Sequence, residues 1–256
     1  HQGKALDDLI AYKLGEQKVL ICANASNHQK DWDWISKQIS SFKVKLADIS
    51  NQTALLAIQG PKTMDFLKKV GLGHLESKDY YSVTEAQYKS YPIIAARTGY
   101  TGEDGFEIFC PAEMAKSFWT ELLNLGVVPC GLAARDVLRL EAAFPLYGHE
   151  LNESLTPLDA NLKWVVKLTK PDFIGKSALV QHSPTKKLVK LILEKAIPRE
   201  GYLVMDSLQR EIGLVTSGTH SVMLSKGIAF ALIESKLFPE DKIFYINIRG
   251  KNHKAE

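Results

Sequence analysis

Two acidic positions carry the first chemical signal in this sequence. Glu107 stands near the end of the string Arg97 to Ile108, which reads Arg-Thr-Gly-Tyr-Thr-Gly-Glu-Asp-Gly-Phe-Glu-Ile. It lies between Phe106 and Ile108, in a strand-like run that leaves a glycine-rich turn. A carboxylate so placed suits a paired hydrogen bond to a ligand offering two adjacent N–H donors, such as the edge of an amidine-like ring. Asp8, in the pair Asp7-Asp8, is the second position. On a strand running through His1 to Leu14 it shares a face with Leu6, Ile10 and Tyr12. A carboxylate buried there must be partnered or used, since even an uncharged polar group costs roughly 2–7 kcal/mol to bury. The other reading is an edge segment that leaves Asp8 in water. Leu9 and Ala11 on the opposite parity leave that choice open.

Further along, Arg135 and Asp136 lie in the segment Cys130 to Glu141. Gly131, Ala133 and Ala134 allow a ligand or neighbouring element close to the backbone there. The plainer reading of Arg135 and Arg139, four residues apart, is a solvated helix face with acidic partners. Gly99, Gly102 and Gly105 are spaced by three, which matches neither a dinucleotide fingerprint nor a phosphate loop. A hairpin turn with glycines at positive φ accounts for them. His28, His149 and His220 have no cysteine or carboxylate at ligand spacing, which speaks against a metal site. No Gly-x-Ser-x-Gly elbow and no nucleophilic cysteine motif occurs. Cys22, Cys110 and Cys130 are odd in number and form no CxxC pair, so the simplest setting is a reducing compartment.

The elements that must position these groups follow from the pattern of apolar residues. The chain has 256 residues, enough to bury a core unaided. Its apolar fraction of 45% and charged fraction of 24% are those of a soluble globular protein, not of a disordered or collagenous one. A net charge of +3 is too small to argue for nucleic acid. Apolar runs such as Leu20 to Ala25 and Ala54 to Ile58 fall far short of a membrane span. Strands are expected at His1 to Leu14, Lys18 to Ala25, Lys43 to Ile49, Ala54 to Ile58, Tyr88 to Arg97, Phe106 to Cys110 and Leu162 to Leu168. Trp32, Ile35, Ile39 and Phe42 recur at helical spacing, and further helices are expected after Pro61, over Ala112 to Leu125, Gly131 to Glu141 and Ile174 to Val180. From about Lys186, short β-rich runs alternate with Gly, Ser and Pro, as in a small barrel. The four tryptophans read as core. The fold class is therefore α+β, with an all-β C-terminal part.

Taken together, several strings resemble the aminomethyltransferase (T protein) family of the glycine cleavage system. They are Ala5 to Ile10, Asn24 to Asn27 with Lys30-Asp31, Ala54 to Pro61, Arg97 to Ile108, Pro129 to Ala142, Leu146 to Gly148, Asp172 to Gly175 and Val215 to Gly218. They follow one another in family order almost end to end. The resemblance implies a cloverleaf of two α/β portions with antiparallel sheets and a C-terminal β-barrel. The implied domains are 1–50 with 131–185, then 51–130, then 186–256. It implies tetrahydrofolate as co-substrate and no metal. The donor is an aminomethyl group on the lipoyl arm of a partner, the H protein, and ammonia is released as the carbon passes to the folate. By motif, the family's catalytic aspartate falls on Asp8 and its pterin-binding glutamate on Glu107, with Tyr100, Arg135 and Asn24 as further folate contacts. A monomer in the cytoplasm (or the mitochondrial matrix of a eukaryote) is expected, with no nucleic-acid or membrane partner. The family also has a substantial segment before its Asp-Asp string, and a longer tail than the one after Lys254, so a fragment truncated at its N-terminus is expected.

Two related readings share the implied fold. Folate-binding proteins of iron–sulfur assembly carry a cysteine-centred signature, whereas the comparable stretch here, Asp172 to Ala178, has no cysteine. The other is the folate domain of a demethylating amine dehydrogenase, which is fused to a flavin domain. No dinucleotide fingerprint occurs in this sequence.

Overall fold

The structure, a computed structural model, describes residues 2–256 and divides them into two units. One is Leu9–Leu138; the other joins the residues up to Asp8 to Arg139–Glu256. The first unit opens with a hairpin of β1 (Ile10–Lys13) and β2 (Val19–Cys22), followed by α1 (His28–Gln38). It continues through β3 (Thr53–Gln59), α2 (Thr63–Lys69), β4 (Val83–Tyr88), β5 (Tyr91–Ala96), β6 (Gly105–Pro111), α3 (Ala112–Asn124) and most of α4 (Leu132–Glu141). Four of these strands form an antiparallel sheet in the order β3-β6-β5-β4.

Alternation along the strands gives that sheet two different faces. Leu56, Ile58, Ile93, Phe106 and Ile108 turn to one side and pack with Leu67, Leu72 and Leu75 and with α3. In α3 the buried residues are Met114, Phe118 and Leu122, a stripe four residues apart that serves one helix face. Each such side chain contributes about 1.5–3 kcal/mol by leaving water. The other side of the sheet presents Glu107, Phe109, Ile94 and Ala96, since residues two apart share a face. The β1–β2 hairpin covers part of it, packing Tyr12, Ile10, Leu20 and Cys22 around Ala96 and Phe109.

The second unit holds α5 (Lys176–Gln181) and β7 (Lys186–Leu193), β8 (Leu203–Met205), β9 (Glu211–Ser221), β10 (Lys226–Glu234), β11 (Phe244–Ile248) and β12 (Lys251–Ala255). These six strands run antiparallel in the order β12-β11-β8-β9-β10-β7. Ile192 and Glu256 exchange both backbone hydrogen bonds, at 2.8 and 3.0 Å, so the sheet curls until its two ends meet. Every residue of β10 from Gly227 to Ile233 is buried. Ala229, Ala231 and Ile233 pack inside the curl, while Ile228, Phe230 and Leu232 pack outside against Leu140, Leu155 and Leu188. Burial on both faces explains why this strand reads as a continuous apolar run. A buried ion pair ties this sheet to the chain before it. Arg139 and Glu150, 2% and 0% exposed, approach to 3.1 Å. Arg139 also donates to Ser217 Oγ and the Phe144 carbonyl, and Glu150 accepts from Ser217, Thr216 and the Leu146 N–H.

Several expectations need correction. Lys43 to Ile49 alternates like a strand but joins no strand pair among the described residues, and Val44 and Ile49 are exposed. Leu162 to Leu168 is a chain of turns containing one short 3₁₀ helix, with Trp164 66% exposed. Trp119 is exposed as well, and Trp32 and Trp34 are only half-buried, so the tryptophans are not core. The first strand covers only β1, which leaves Asp7 and Asp8 outside any strand and voids the parity argument for them. Arg139 belongs to the buried ion pair, not to a solvated face. Strands β4, β8 and β12 were not expected. The β4–β5 turn uses Lys89 at φ +54 with no glycine to announce it.

Candidate functional site

Glu107 is the centre of the arrangement in the first unit. Its register partners on the flanking strands are Ala57 of β3 and Ala96 of β5, whose short side chains leave the carboxylate uncrowded. One of its oxygens is fixed from behind. Thr98 Oγ1 donates to Glu107 Oε2 at 2.6 Å, and Tyr12 Oη lies 3.2 Å from the same oxygen and 3.0 Å from Thr98 Oγ1. Glu107 Oε1 has no hydrogen-bond partner among the described residues. The result is a half-buried, oriented carboxylate with acceptor capacity to spare. Burial holds the Tyr12 phenol well above its ordinary pKa; the Thr98 bond opposes this and the Glu107 charge adds to it. Tyr12 therefore remains a donor.

Tyr100 and Arg135 are brought together beside this strand pair. The Arg135 guanidinium lies 4.8 Å from the centre of the Tyr100 ring, a cation–π contact. Tyr100 rides on the loop between β5 and β6, and that loop is clamped at both ends. Arg97 grips Asp104 through two hydrogen bonds of 2.9 and 2.7 Å, and Gly60 N–H donates to the Asp104 carbonyl. Hydrogen bonding from Arg97, with its charge behind it, holds the Asp104 carboxyl below its ordinary value against the opposing effect of burial. Gln59 bonds the Thr98 carbonyl and accepts from Thr101. Only Gly102 of the three loop glycines has positive φ. Gly105 is needed for proximity instead, since a Cβ there would meet the Ile58 carbonyl at 2.4 Å. Gly131 meets nothing within 4 Å, so no close backbone approach is seen at that residue.

Cys22, on β2, senses both charges. Burial raises its thiol pKa, Glu107 raises it further, and Arg135 lowers it. Asn24 follows two residues later and precedes a 3₁₀ turn, its carbonyl accepting the Asn27 N–H at 2.9 Å. Asp8 belongs to the other unit. It keeps a solvent-exposed face, yet burial among protein atoms pushes its carboxyl up, with Asp7's charge adding to the effect. The segment before it is tied down by Ala5, whose N–H donates to the Leu155 carbonyl and whose carbonyl accepts from Tyr147. Sequence reasoning singled out Glu107, Tyr100 and Arg135 but missed Tyr12 and Thr98 behind them. Tyr12 was visible only as an apolar position, and Thr98 only as a turn residue.

A groove of about 1040 Å³ also opens on the first unit. Leu20, Ile94, Phe109 and Pro111 line it, and the exposed Lys18–Glu85 ion pair lies at its edge. Neither Glu107, Tyr100 nor Arg135 lines that groove. Among the described residues no three His, Cys, Asp or Glu side chains gather as metal ligands, and no helix is long and apolar enough to cross a membrane.

These features, a mixed α/β portion with antiparallel sheets followed by a six-stranded barrel-like sheet, define a class that two family models describe. Residues 1–170 match the GCVT N-terminal domain, and residues 186–256 match the glycine cleavage T-protein C-terminal barrel domain. The chain belongs to the glycine cleavage T-protein family, the aminomethyltransferases. It is 44% identical over 259 residues to an aminomethyltransferase of Thermosipho melanesiensis, covering 99% of this chain and 70% of that protein. An aminomethyltransferase of Thermus thermophilus is 44% identical over 250 residues, covering 98% of this chain and 70% of that protein. The solved structure of glycine cleavage system aminomethyltransferase T from Bartonella henselae superposes with a TM-score of 0.89 at 32% identity, over 99% of this chain and 71% of that one. The chain thus spans about 70% of the length of these relatives.

Proposed function

We propose that this protein is the aminomethyltransferase of a glycine cleavage system, moving a one-carbon unit from an aminomethyl-lipoyl H protein to tetrahydrofolate with release of ammonia. The observation that carries the reading is Glu107: an oriented carboxylate with one oxygen fixed by Thr98 and the other still open. A pterin edge presents a ring N–H beside an amino group, which is the paired-donor pattern such a carboxylate accepts. The residues therefore fit the folate, with Glu107 on the pterin and the Tyr100–Arg135 pair offering an aromatic face and a cation. Asn24 contributes a further amide in the same unit. Tetrahydrofolate, when bound, supplies the nitrogen that takes up the carbon.

Asp8 is the acid–base candidate. A carboxyl raised by burial and by a neighbouring anion sits closer to its proton than an ordinary aspartate does. Its role is to orient the folate and to assist proton movement as the carbon is transferred. Lysines and arginines meet the H protein, Lys186, Lys187 and Lys190 among the candidates, and set its association rate and salt sensitivity. We take the protein as a cytoplasmic monomer with domains 1–50 plus 131–185, 51–130 and 186–256. The curated relatives carry the aminomethyltransferase name, which favours this reading over iron–sulfur assembly or amine demethylation.

The test is ammonia or methylenetetrahydrofolate release from aminomethyl-loaded H protein. Asp8→Asn is expected to keep most folate affinity and lose about 10²–10⁴-fold in turnover, the usual worth of acid–base assistance. Asp7→Asn is the control and is expected to lose far less. Near-normal turnover in Asp8→Asn, or an equal loss in both variants, refutes the assignment.

A further inference from the structure

We infer that Thr98, with Tyr12 behind it, is a positioning residue: the two hydroxyls form a one-way relay that ends on Glu107 Oε2 and turns Oε1 toward the ligand. The inference rests on the reading of Glu107 as the pterin-binding carboxylate and adds what makes that carboxylate directional.

The geometry leaves little choice of proton order. Tyr12 and Thr98 are 4% and 2% exposed, so water does not compete for their hydroxyls. Each hydroxyl has one proton to give, and an ionised carboxylate only accepts. The shortest contact, Thr98 Oγ1 to Glu107 Oε2 at 2.6 Å, takes the Thr98 proton. The Tyr12 proton then goes to Thr98 Oγ1 at 3.0 Å or directly to Oε2 at 3.2 Å. Both routes terminate on the same oxygen. In the first route Oε2 accepts once and keeps a lone pair, so both carboxylate oxygens remain able to receive the two donors of a pterin edge.

The relay also joins segments far apart in the chain. Tyr12 comes from β1, Thr98 from the start of the clamped loop and Glu107 from β6. The backbone carbonyl of Thr98 is held by Gln59 Nε2 at 3.1 Å, so the residue is fixed on its main-chain side as well. Tyr12 packs edge-on against Phe109, with ring centres 5.6 Å apart, which fixes the phenol from the other side. A carboxylate without these supports is free to rotate about its last side-chain bonds and loses the alignment a two-donor ligand needs.

Four variants decide the matter, with tetrahydrofolate binding followed by calorimetry under reducing conditions and the KM for folate measured in turnover. Thr98→Val keeps the side-chain shape but cannot donate, and is expected to raise Kd about tenfold, the size of one hydrogen bond to a charged group. The loss is expected to fall on KM. Thr98→Ser restores the hydroxyl and is expected to return Kd to within about twofold, a rescue that a purely packing role for Thr98 does not produce. Tyr12→Phe is expected to weaken binding about two- to fivefold, since Thr98 still donates. Glu107→Gln is the reference for the underlying reading. Thr98→Val binding as tightly as the parent while Glu107→Gln binds poorly overturns the relay alone. Thr98→Ser failing as badly as Thr98→Val overturns it too. Unchanged affinity in Glu107→Gln overturns the pterin reading itself. If Thr98→Val does not fold, Tyr12→Phe with parental affinity is enough to reject the relay.

Discussion

Glu107→Gln separates recognition from folding more cleanly than truncation does. Alanine at this position removes the acceptor for Thr98 and leaves a buried hydroxyl with only Tyr12 to meet it. Leaving a buried donor unsatisfied costs about 1–3 kcal/mol, so a loss of binding in Glu107→Ala is confounded by a loss of stability. Glutamine avoids this. Its amide oxygen takes the place of Oε2 and accepts from Thr98, which directs the amide NH₂ to the place of Oε1. The outward group then donates where the carboxylate accepted, and meets the donors of the ligand head-on. One hydrogen bond to a charged acceptor is lost, at about 1.5–3 kcal/mol, which corresponds to roughly 10–150-fold in Kd. Calorimetric titration with tetrahydrofolate measures that loss. A thermal melt of the free variant is expected within about 2 °C of the parent, since the internal network survives. Affinity within threefold of the parent refutes the assignment of Glu107. A large fall in melting temperature refutes the argument that the network tolerates an amide.

Further expectations concern stability. Burial pushes the Asp159 carboxyl up, but the Thr156 hydroxyl and N–H, His182 and the Lys186 N–H outweigh it and hold the group at about 2. The folded value lies below the ordinary 3.8, so the contribution is present above pH 4 and is lost as pH falls toward 2. Asp159→Asn is expected to cost about 2 kcal/mol at neutral pH, with the difference vanishing near pH 2; urea melts that show the same gap at both pH values contradict this. Phe118→Ala empties a fully buried site under the sheet and is expected to cost about 3–5 kcal/mol in chemical denaturation, whereas a loss below 1 kcal/mol means the site refills.

What the sequence disclosed, and what it hid, depended on how local the signal was. Glu107 was legible because it is a carboxylate between Phe106 and Ile108 in a strand that leaves a glycine-rich turn, a signal contained in a few adjacent residues. The helix over Ala112 to Leu125 and the β-rich runs after Lys186 were legible from equally local patterns. Tyr12 was not, because its contacts lie 86 and 95 residues away, and Thr98 was not, because its bond to Glu107 exists only once the loop returns β6 beside it. The β11–β12 turn, with Arg249 and Gly250 both at positive φ, carries only half of the usual glycine or asparagine signal, and β12 itself is polar. Lys43 to Ile49 had the opposite fault: the right alternation, with no neighbouring strand among the described residues to reward it.

The string Arg97 to Ile108 shows how one short motif divides its labour. Arg97 and Asp104 face each other across the loop and are consumed by the clamp. Gly99 and Gly105 let Gln59 and the β3 backbone come close, and Gly102 turns the chain. Those residues set the loop's shape and have little left to offer a ligand. Phe106 and Ile108 go to the core by strand parity. Tyr100, held over Arg135, and Glu107, steered by Thr98, are the side chains of the string that the folate reading uses. A dense motif therefore need not mean a dense set of ligand contacts. Here most of the string sets the loop or fills the core, and a variant in the clamp is expected to disturb binding through Tyr100 and Thr98, by moving the loop that carries them.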